Sequence, residues 1–197
     1  MDRYKDQFKS SHVMLADCSL FDLDQASEMP ININNVIQSV CYMARFNGHL
    51  DNFYSVGSHI VGLYATAIRM KEPRGVRRMV LAHDLHEFIT GDIVSPVKRR
   101  LQPQIGELEK EIDKAIFKHL KFLPTPAEKK RVAYLDDLMW QVEQSTIQNL
   151  DWIGLEDDLY LEMRRAVMEA SVIPVQKIGD LLNNAIAIEF EDKEVMQ

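Results

Sequence analysis

The stretch VRRMVLAHDLHEFITG, residues 76–91, decides the fold predicted for this chain. Its apolar side chains recur at the three- and four-residue intervals of an amphipathic helix. It ends at Gly91, and glycine is favoured just past the end of a helix. A helix is therefore expected from Val76 to Thr90. The same stretch contains residues that bind metals or transfer protons, namely His83, Asp84 and Glu87.

Helical spacing recurs along the rest of the chain, which has only eight Gly and seven Pro to interrupt it. Strand-like alternation is scarce. Residues 92–103, which include Pro96, are expected to form a loop, and Asn47-Gly48 marks a turn. The first thirty residues show no sustained period, so a loose arm or a short hairpin is expected there. Further helices are predicted over 34–44, 55–70, 105–120 and 126 to about 150, with one or two more afterwards and Pro174 between them.

These elements predict an all-α fold in a single domain over residues 1–197. Its helical-bundle core is expected over about 20–150, and additional C-terminal helices over 151–197. A chain of 197 residues, 46% apolar and 27% charged, can bury such a core without disulfides.

Composition also limits the location and the partners. The two cysteines, Cys18 and Cys41, lack zinc-finger spacing and are expected to be free thiols in a reducing compartment. The first twelve residues lack the apolar segment of a signal peptide, and no apolar run is long enough to span a membrane. A net charge of −7 disfavours a nucleic-acid polymer as partner. We therefore expect a cytoplasmic protein with no membrane partner.

Four residues of three predicted helices carry the candidate chemistry: His59, His83, Asp84 and Asp136. Imidazole and carboxylate ligands together suit a divalent transition metal. Four protein ligands leave open positions for water and a phosphate oxygen, as a catalytic metal site requires. Spacing alone leaves the ordinary alternative open, because a His-Asp pair is common and a helix histidine is often only a packed side chain.

Two carboxylates follow the His-Asp pair. Glu87 comes four residues after His83 and is expected on the same helix face, where it can orient a water or take its proton. Asp92 follows just past the predicted helix end and can protonate a leaving oxygen. The remaining histidines are expected at the surface or in loops: His12, His49, His86 and His119.

The order His…His-Asp…Asp resembles that of the HD phosphohydrolase superfamily. The segment HDLHEFITGDIVSPVKR, residues 83–99, is similar to the signature of the YfbR-like 5′-deoxynucleotidases. The segment ARFNGHLDNFYSVGSHIV, residues 44–61, is similar to bacteriophage HD hydrolases that include dATP triphosphohydrolases (DatZ). The resemblance extends over roughly residues 20–150 and implies an HD-domain helical bundle.

The resemblance implies roles for individual residues. The metal ligands it implies are His59, His83, Asp84 and Asp136. Glu87 matches the acidic residue that orients the attacking water, and Asp92 matches the candidate general acid. Arg45 and Lys98 match cations that contact the substrate phosphate, and Phe46 matches an aromatic residue near the base or sugar.

Two features of the match leave choices open. Asp136 and Asp137 compete as the last metal ligand, and Val132 and Glu143 fit the pattern around Asp136. Phe46 and Tyr54 are alternatives for a wall against C2′ of a deoxyribose, and both are equally plausible as core residues.

The function that the resemblance implies is a metal-dependent phosphohydrolase that removes phosphate from 2′-deoxynucleotides, with dATP preferred. The cofactor is a divalent ion such as Co²⁺, Mn²⁺, Zn²⁺ or Mg²⁺. Alternatives are a 5′-deoxynucleotidase acting on monophosphates and a nucleotide-binding HD sensor without catalysis. The relatives also imply a homo-oligomer, located in the host cytoplasm if the gene belongs to a bacteriophage.

Overall fold

The computed structural model describes residues 9–148 and 157–191, and in these ranges the chain is a bundle of nine α-helices with one small hairpin. The prediction of an all-α fold is confirmed. The helices are α1 (Ile33–Tyr42), α2 (Val56–Arg69), α3 (Arg74–Ala82), α4 (Glu87–Thr90), α5 (Ser95–Arg100), α6 (Gln104–His119), α7 (Pro126–Ile147), α8 (Asp158–Ser171) and α9 (Val175–Phe190).

Of the two structures predicted for the first thirty residues, the described part forms a short hairpin and not a loose arm. Strands β1 (His12–Met14) and β2 (Leu20–Asp22) pair antiparallel, with Val13 opposite Phe21. A 3-10 helix, Leu23–Glu28, follows directly. The buried ring of Phe21 meets Phe88 of α4 edge to face, with centroids 5.6 Å apart. The hairpin therefore supports the short helix that begins with Glu87.

Helix α2 lies at the centre of the bundle, with α1, α3, α7, α8 and α9 packed around it. Ile60 and Leu63 are completely buried, and each such side chain contributes about 1.5–3 kcal/mol by leaving water. The hydroxyl of Ser55 accepts a hydrogen bond from the backbone N–H of Ser58 and so caps the start of α2. This cap fixes the first turn of the helix that carries His59.

The predicted helix from Val76 to Thr90 is wrong in its middle, because α3 ends at Ala82 and α4 begins only at Glu87. Residues 83–86 form a turn whose backbone bonds span three residues, as in Glu87 N–H to the carbonyl of Asp84. Nδ1 of His83 lies 2.7 Å from the carbonyl oxygen of Val80. In a continuing α-helix the carbonyl oxygen of Val80 would accept a hydrogen bond from the backbone N–H of Asp84. The imidazole of His83 therefore competes with the helix for this oxygen.

The loop expected over 92–103 is also partly wrong, since it contains α5. Pro96 lies in the first turn of this helix, where the missing backbone N–H breaks no helical hydrogen bond. This proline, which was expected to interrupt helical structure, therefore lies at the start of a helix.

Helix α7 begins as expected at Pro126, behind a capping box in which Thr125 and Glu128 bond each other's backbone. It ends at Ile147, and residues 149–156, where the predicted end near Leu150 falls, lie outside the described residues. Helices α8 and α9 on either side of Pro174 pack against α2, so the C-terminal helices contact the core directly. None of the helices in the described ranges is long and apolar enough to cross a membrane.

Candidate metal centre

Four side chains that are distant in sequence meet at one point of the bundle. His59 comes from the first turn of α2, His83 and Asp84 from the turn after α3, and Asp136 from the middle of α7. One ligand atom of each residue lies within 4.8 Å of all the others. The structure thus brings together the whole set of predicted metal ligands.

The shortest separations involve the two imidazole Nε2 atoms. Nε2 of His59 lies 3.1 Å from Oδ1 of Asp136 and 3.6 Å from Oδ2 of Asp84. Nε2 of His83 lies 3.2 Å from Oδ2 of Asp84 and 3.8 Å from Oδ1 of Asp136. The imidazole side chains are 0% and 7% exposed, whereas those of Asp84 and Asp136 are 15% and 38% exposed. The carboxylates therefore lie on the open side of the cluster.

The orientation of each imidazole is fixed by its other nitrogen. Nδ1 of His59 lies 2.7 Å from Oε1 of Glu143, a carboxylate that can only accept, so this nitrogen carries the proton. Nδ1 of His83 faces the carbonyl oxygen of Val80 and must also donate. When the rings are neutral, both Nε2 atoms therefore carry lone pairs, which is how neutral histidine binds metals.

This assignment makes the centre fit a cation. The two Nε2 atoms lie 3.3 Å apart, and two carboxylate oxygens face them. Four acceptors in so small a volume repel one another unless a positive charge lies among them. Two imidazole nitrogens and two carboxylate oxygens form the donor set that divalent transition metals prefer.

The pKa shifts of His83 and Asp136 also indicate that the centre attracts positive charge. Burial alone would lower the pKa of His83, but Asp84 and Asp136 outweigh burial and raise this pKa well above its ordinary value. Burial alone would raise the pKa of Asp136, but hydrogen bonding to His59 and His83 holds it well below its ordinary range. A proton and a divalent ion compete for these same groups.

Glu87 lies beside the centre but ligates nothing. Its carboxyl is buried, and its Oε2 has no hydrogen-bond partner among the described residues. Burial and the negative charges of Asp84 and Asp92 raise the pKa of Glu87 well above its ordinary value. A carboxyl in this setting can hold a proton and release it when a cation approaches.

Asp92 connects the centre to the turn that follows α1. Its Oδ2 accepts a hydrogen bond of 2.9 Å from the backbone N–H of Phe46. Phe46 has φ +56° and Asn47 φ +52°, left-handed values that cost energy in residues with a side chain. Burial raises the pKa of Asp92, which favours its protonated form. The residue therefore stabilises a strained turn and can also carry a proton.

Arg45 is buried and is already paired. Its NH2 lies 3.0 Å from Oε2 of Glu143, and its NH1 lies 3.7 Å from Oδ2 of Asp84. Its guanidinium also lies over the ring of Phe46, 5.4 Å from the centroid. Arg45 thus links the metal centre to the aromatic ring expected near the base or sugar.

Lys98 lies on α5 and pairs with a residue of α6. Its Nζ lies 2.8 Å from Oε1 of Glu109 on α6. Burial alone would lower its pKa, but Glu109, Asp84 and Glu87 together raise it. The expectation of a surface position for His86 is wrong, because this side chain is buried beside Glu109 and Asp113.

Asp136 and Asp137, the alternatives for the last metal ligand, occupy different faces of α7. Asp136 joins the cluster, whereas Asp137 is exposed and accepts a hydrogen bond from Gln141. Tyr54 is a core residue whose hydroxyl donates to Glu143, and Phe46, the other alternative for the deoxyribose wall, is buried as well.

Sequence reasoning missed the role of Glu143. Its carboxylate is completely buried and contacts His59, Tyr54 and Arg45. The signal was its position seven residues after Asp136, two helical turns along α7, which places both residues on one face. From the sequence, this spacing was used only to support Asp136 as the last metal ligand.

A helical bundle with an open His/Asp cluster defines a class of metal-dependent hydrolases, and comparison with known proteins identifies the family. A profile of the HD domain family matches residues 48–144. The uncharacterized protein YfdR of Escherichia coli K12 is 32% identical over 158 residues, which are 79% of this chain and 81% of YfdR. An uncharacterized protein of Rhodobacter capsulatus is 29% identical over 135 residues, 64% of this chain and 67% of that protein.

The chain belongs to the HD-domain family. The resemblance to this superfamily is confirmed, and HD domains bind divalent metals and are generally metal-dependent hydrolases. Family and site together therefore indicate a metal-dependent phosphohydrolase.

Proposed function

We propose that this HD-domain protein removes phosphate from 2′-deoxynucleotides, with dATP as the preferred substrate. One observation carries the proposal of phosphohydrolase chemistry: two imidazole Nε2 atoms and two carboxylate oxygens converge within 4.8 Å of one another, on a side of the bundle that is partly open. The deoxynucleotide and dATP preferences are supported by the likeness of residues 44–61 and 83–99 to deoxynucleotide hydrolases.

His59, His83, Asp84 and Asp136 would hold a divalent ion, which would supply Lewis-acid polarisation of a phosphate oxygen and lower the pKa of a water. Glu87 has a buried oxygen without a partner in the described structure, so it orients the attacking water and takes its proton.

Asp92 and two cations complete the reaction. Asp92 carries a raised pKa, so it donates a proton to the departing oxygen. Arg45 and Lys98 neutralise charge that develops on the phosphate oxygens. The ring of Phe46 lies beside Arg45, where it meets the sugar and rejects a 2′-hydroxyl.

A 5′-deoxynucleotidase acting on monophosphates is the second candidate, and one observation favours it. Both proposed phosphate-binding cations already have acidic partners, Arg45 with Glu143 and Lys98 with Glu109. A monophosphate requires less additional positive charge than a triphosphate, so these cations satisfy it more readily.

A substrate panel tests the proposal and separates the two candidates. Purified protein is assayed with dATP, dAMP, the other deoxynucleotides and ATP, each with cobalt, manganese, zinc or magnesium, and the products are separated by ion exchange. The proposal predicts hydrolysis of dATP over ATP, whereas preferential hydrolysis of dAMP selects the second candidate. Failure to hydrolyse any of these compounds with any metal refutes both.

Glu87→Ala tests the mechanism within the same assay. We expect bound metal to be retained and kcat to fall by about two to four powers of ten. The matched control is Glu107→Ala, an exposed residue of α6, which should leave kcat unchanged. An unchanged kcat in Glu87→Ala would show that the role assigned to Glu87 is wrong.

A further inference from the structure

Four polar side chains form a chain of contacts that connects α5 and the turn before Glu87 to helix α6. Lys98 Nζ lies 2.8 Å from Glu109 Oε1, and this same oxygen lies 3.7 Å from Nε2 of His86. Nδ1 of His86 in turn lies 3.2 Å from Oδ1 of Asp113. Lys98, Glu109, His86 and Asp113 are together named the Lys98 network.

The inner members of the Lys98 network are buried. Glu109 is 9% exposed and His86 is 7% exposed. A buried carboxylate is stable only when a positive charge or several donors compensate it. The ammonium of Lys98 supplies that charge to Glu109. The buried Nε2 of His86 has no hydrogen-bond partner in the described ranges, so it adds no donor that meets hydrogen-bond geometry.

Helix α5 depends on this ion pair for its position. None of its six residues is buried in the described structure, and Arg99 and Arg100 are exposed. A helix of six residues does not persist in water without tertiary contacts. The Lys98–Glu109 pair connects this exposed helix to the long helix α6.

The oxygen of Glu109 that holds the ammonium also lies 3.7 Å from Nε2 of His86, the residue directly before Glu87. Glu109 therefore holds both α5 and its cation beside the turn that carries Asp84 and Glu87. We propose that Glu109 is a positioning residue that holds Lys98 at the edge of the metal centre, ready to bind a substrate phosphate. This inference rests on the proposed function for the identity of the anion, but the placement of α5 does not depend on it.

Hydrogen–deuterium exchange tests the placement without any substrate. In Glu109→Leu we expect the amides of residues 95–100, apart from Pro96, to exchange about tenfold faster than in the wild type, because their helix has lost its connection. Glu109→Gln keeps an acceptor oxygen of the same shape and should restore most of the protection. The matched control is Glu28→Gln, which breaks an exposed ion pair of 3.0 Å to Lys118 on the same helix α6. Unchanged exchange over 95–100 in Glu109→Leu overturns the inference, whatever the protein hydrolyses.

Kinetics test whether Glu109 acts through Lys98. Glu109→Leu should lower kcat/KM for the deoxynucleotide substrate about tenfold while the affinity for manganese stays unchanged. Adding Glu109→Leu to Lys98→Met should lower it no further than Lys98→Met alone, and Glu109→Gln should recover most of the loss.

The outcomes separate the inference from the proposed function. Additive losses in the double variant would show that Glu109 does not act through Lys98, and the inference would then fail although hydrolysis is established. A wild type that hydrolyses no deoxynucleotide refutes the proposed function, and the exchange experiment then decides the position of α5 by itself.

Discussion

Replacing Glu143 by Gln removes one negative charge from the most enclosed part of the site and turns one carboxylate oxygen into an NH2 donor. The carboxylate is completely buried and contacts Nδ1 of His59 at 2.7 Å, the hydroxyl of Tyr54 at 3.0 Å and NH2 of Arg45 at 3.0 Å. Glutamine has nearly the same volume and keeps one acceptor oxygen. The substitution therefore tests the charge rather than the packing.

The expected loss of stability arises because Arg45 stays buried after one of its acidic partners has been removed. Arg45 is 7% exposed, and after the substitution its only remaining acidic contact within 4.0 Å in the described structure is Asp84, at 3.7 Å. Removing one partner of a buried ion pair costs about 3–5 kcal/mol. The oxygen of glutamine can still accept from His59 and Tyr54, which places this case near the lower end. For a chain of this size, about 3 kcal/mol lowers Tm by about 6–12 °C.

The expected loss of metal affinity follows from His59. A carboxylate that accepts the Nδ1 proton makes Nε2 a stronger ligand and holds the ring in place. Loss of such a partner weakens metal binding about 10- to 100-fold. Titration with manganese against a competing chelator, monitored by calorimetry, measures this change directly.

Glu189→Gln provides the matched control. Glu189 is also buried and pairs with Arg77 at 2.7 Å, but it lies on α9, away from the centre. It should lower Tm and leave metal affinity unchanged. If Glu143→Gln bound manganese within twofold of the wild type, the claim that Glu143 orients His59 would be refuted.

Two further predictions use other parts of the chain. Asp136→Asn should abolish stoichiometric metal binding while Asp137→Asn leaves it intact, as metal analysis after dialysis will show; the reverse result would assign the ligand to Asp137. The buried thiol of Cys41 has its pKa raised by burial to about 12, whereas Cys18 is exposed. At pH 8 a chromogenic disulfide should therefore label one thiol of the folded chain rapidly and two in denaturant. Because the unfolded thiol ionises near pH 9 and the folded one does not, Cys41 stabilises the fold below pH 9 and loses this contribution as the pH rises toward 12. Rapid labelling of both thiols in the native state would contradict the burial of Cys41.

Local pattern was sufficient for most of the helices. Apolar spacing and breaker residues located α1, α2, α6 and α7 to within a few residues, because the interactions that begin, end and orient a helix act over three or four positions. The two failures have a local cause as well. The side chain of His83 competes for the carbonyl of Val80, and Pro96 can begin a helix as well as end one.

The amino-acid sequence by itself determined the fold class and which residue types were available for chemistry. It supplied His59, His83, Asp84 and an aspartate on α7, along with Glu87 and Asp92 near them, because residue identity and spacing are properties of the chain alone. Only the tertiary structure decided which atoms face one another. It placed Asp136, and not Asp137, beside the two histidines, and it paired Lys98 with Glu109. It also joined His59 to Glu143 across 84 positions, an interaction that exists only once α2 and α7 pack together and that no local pattern encodes.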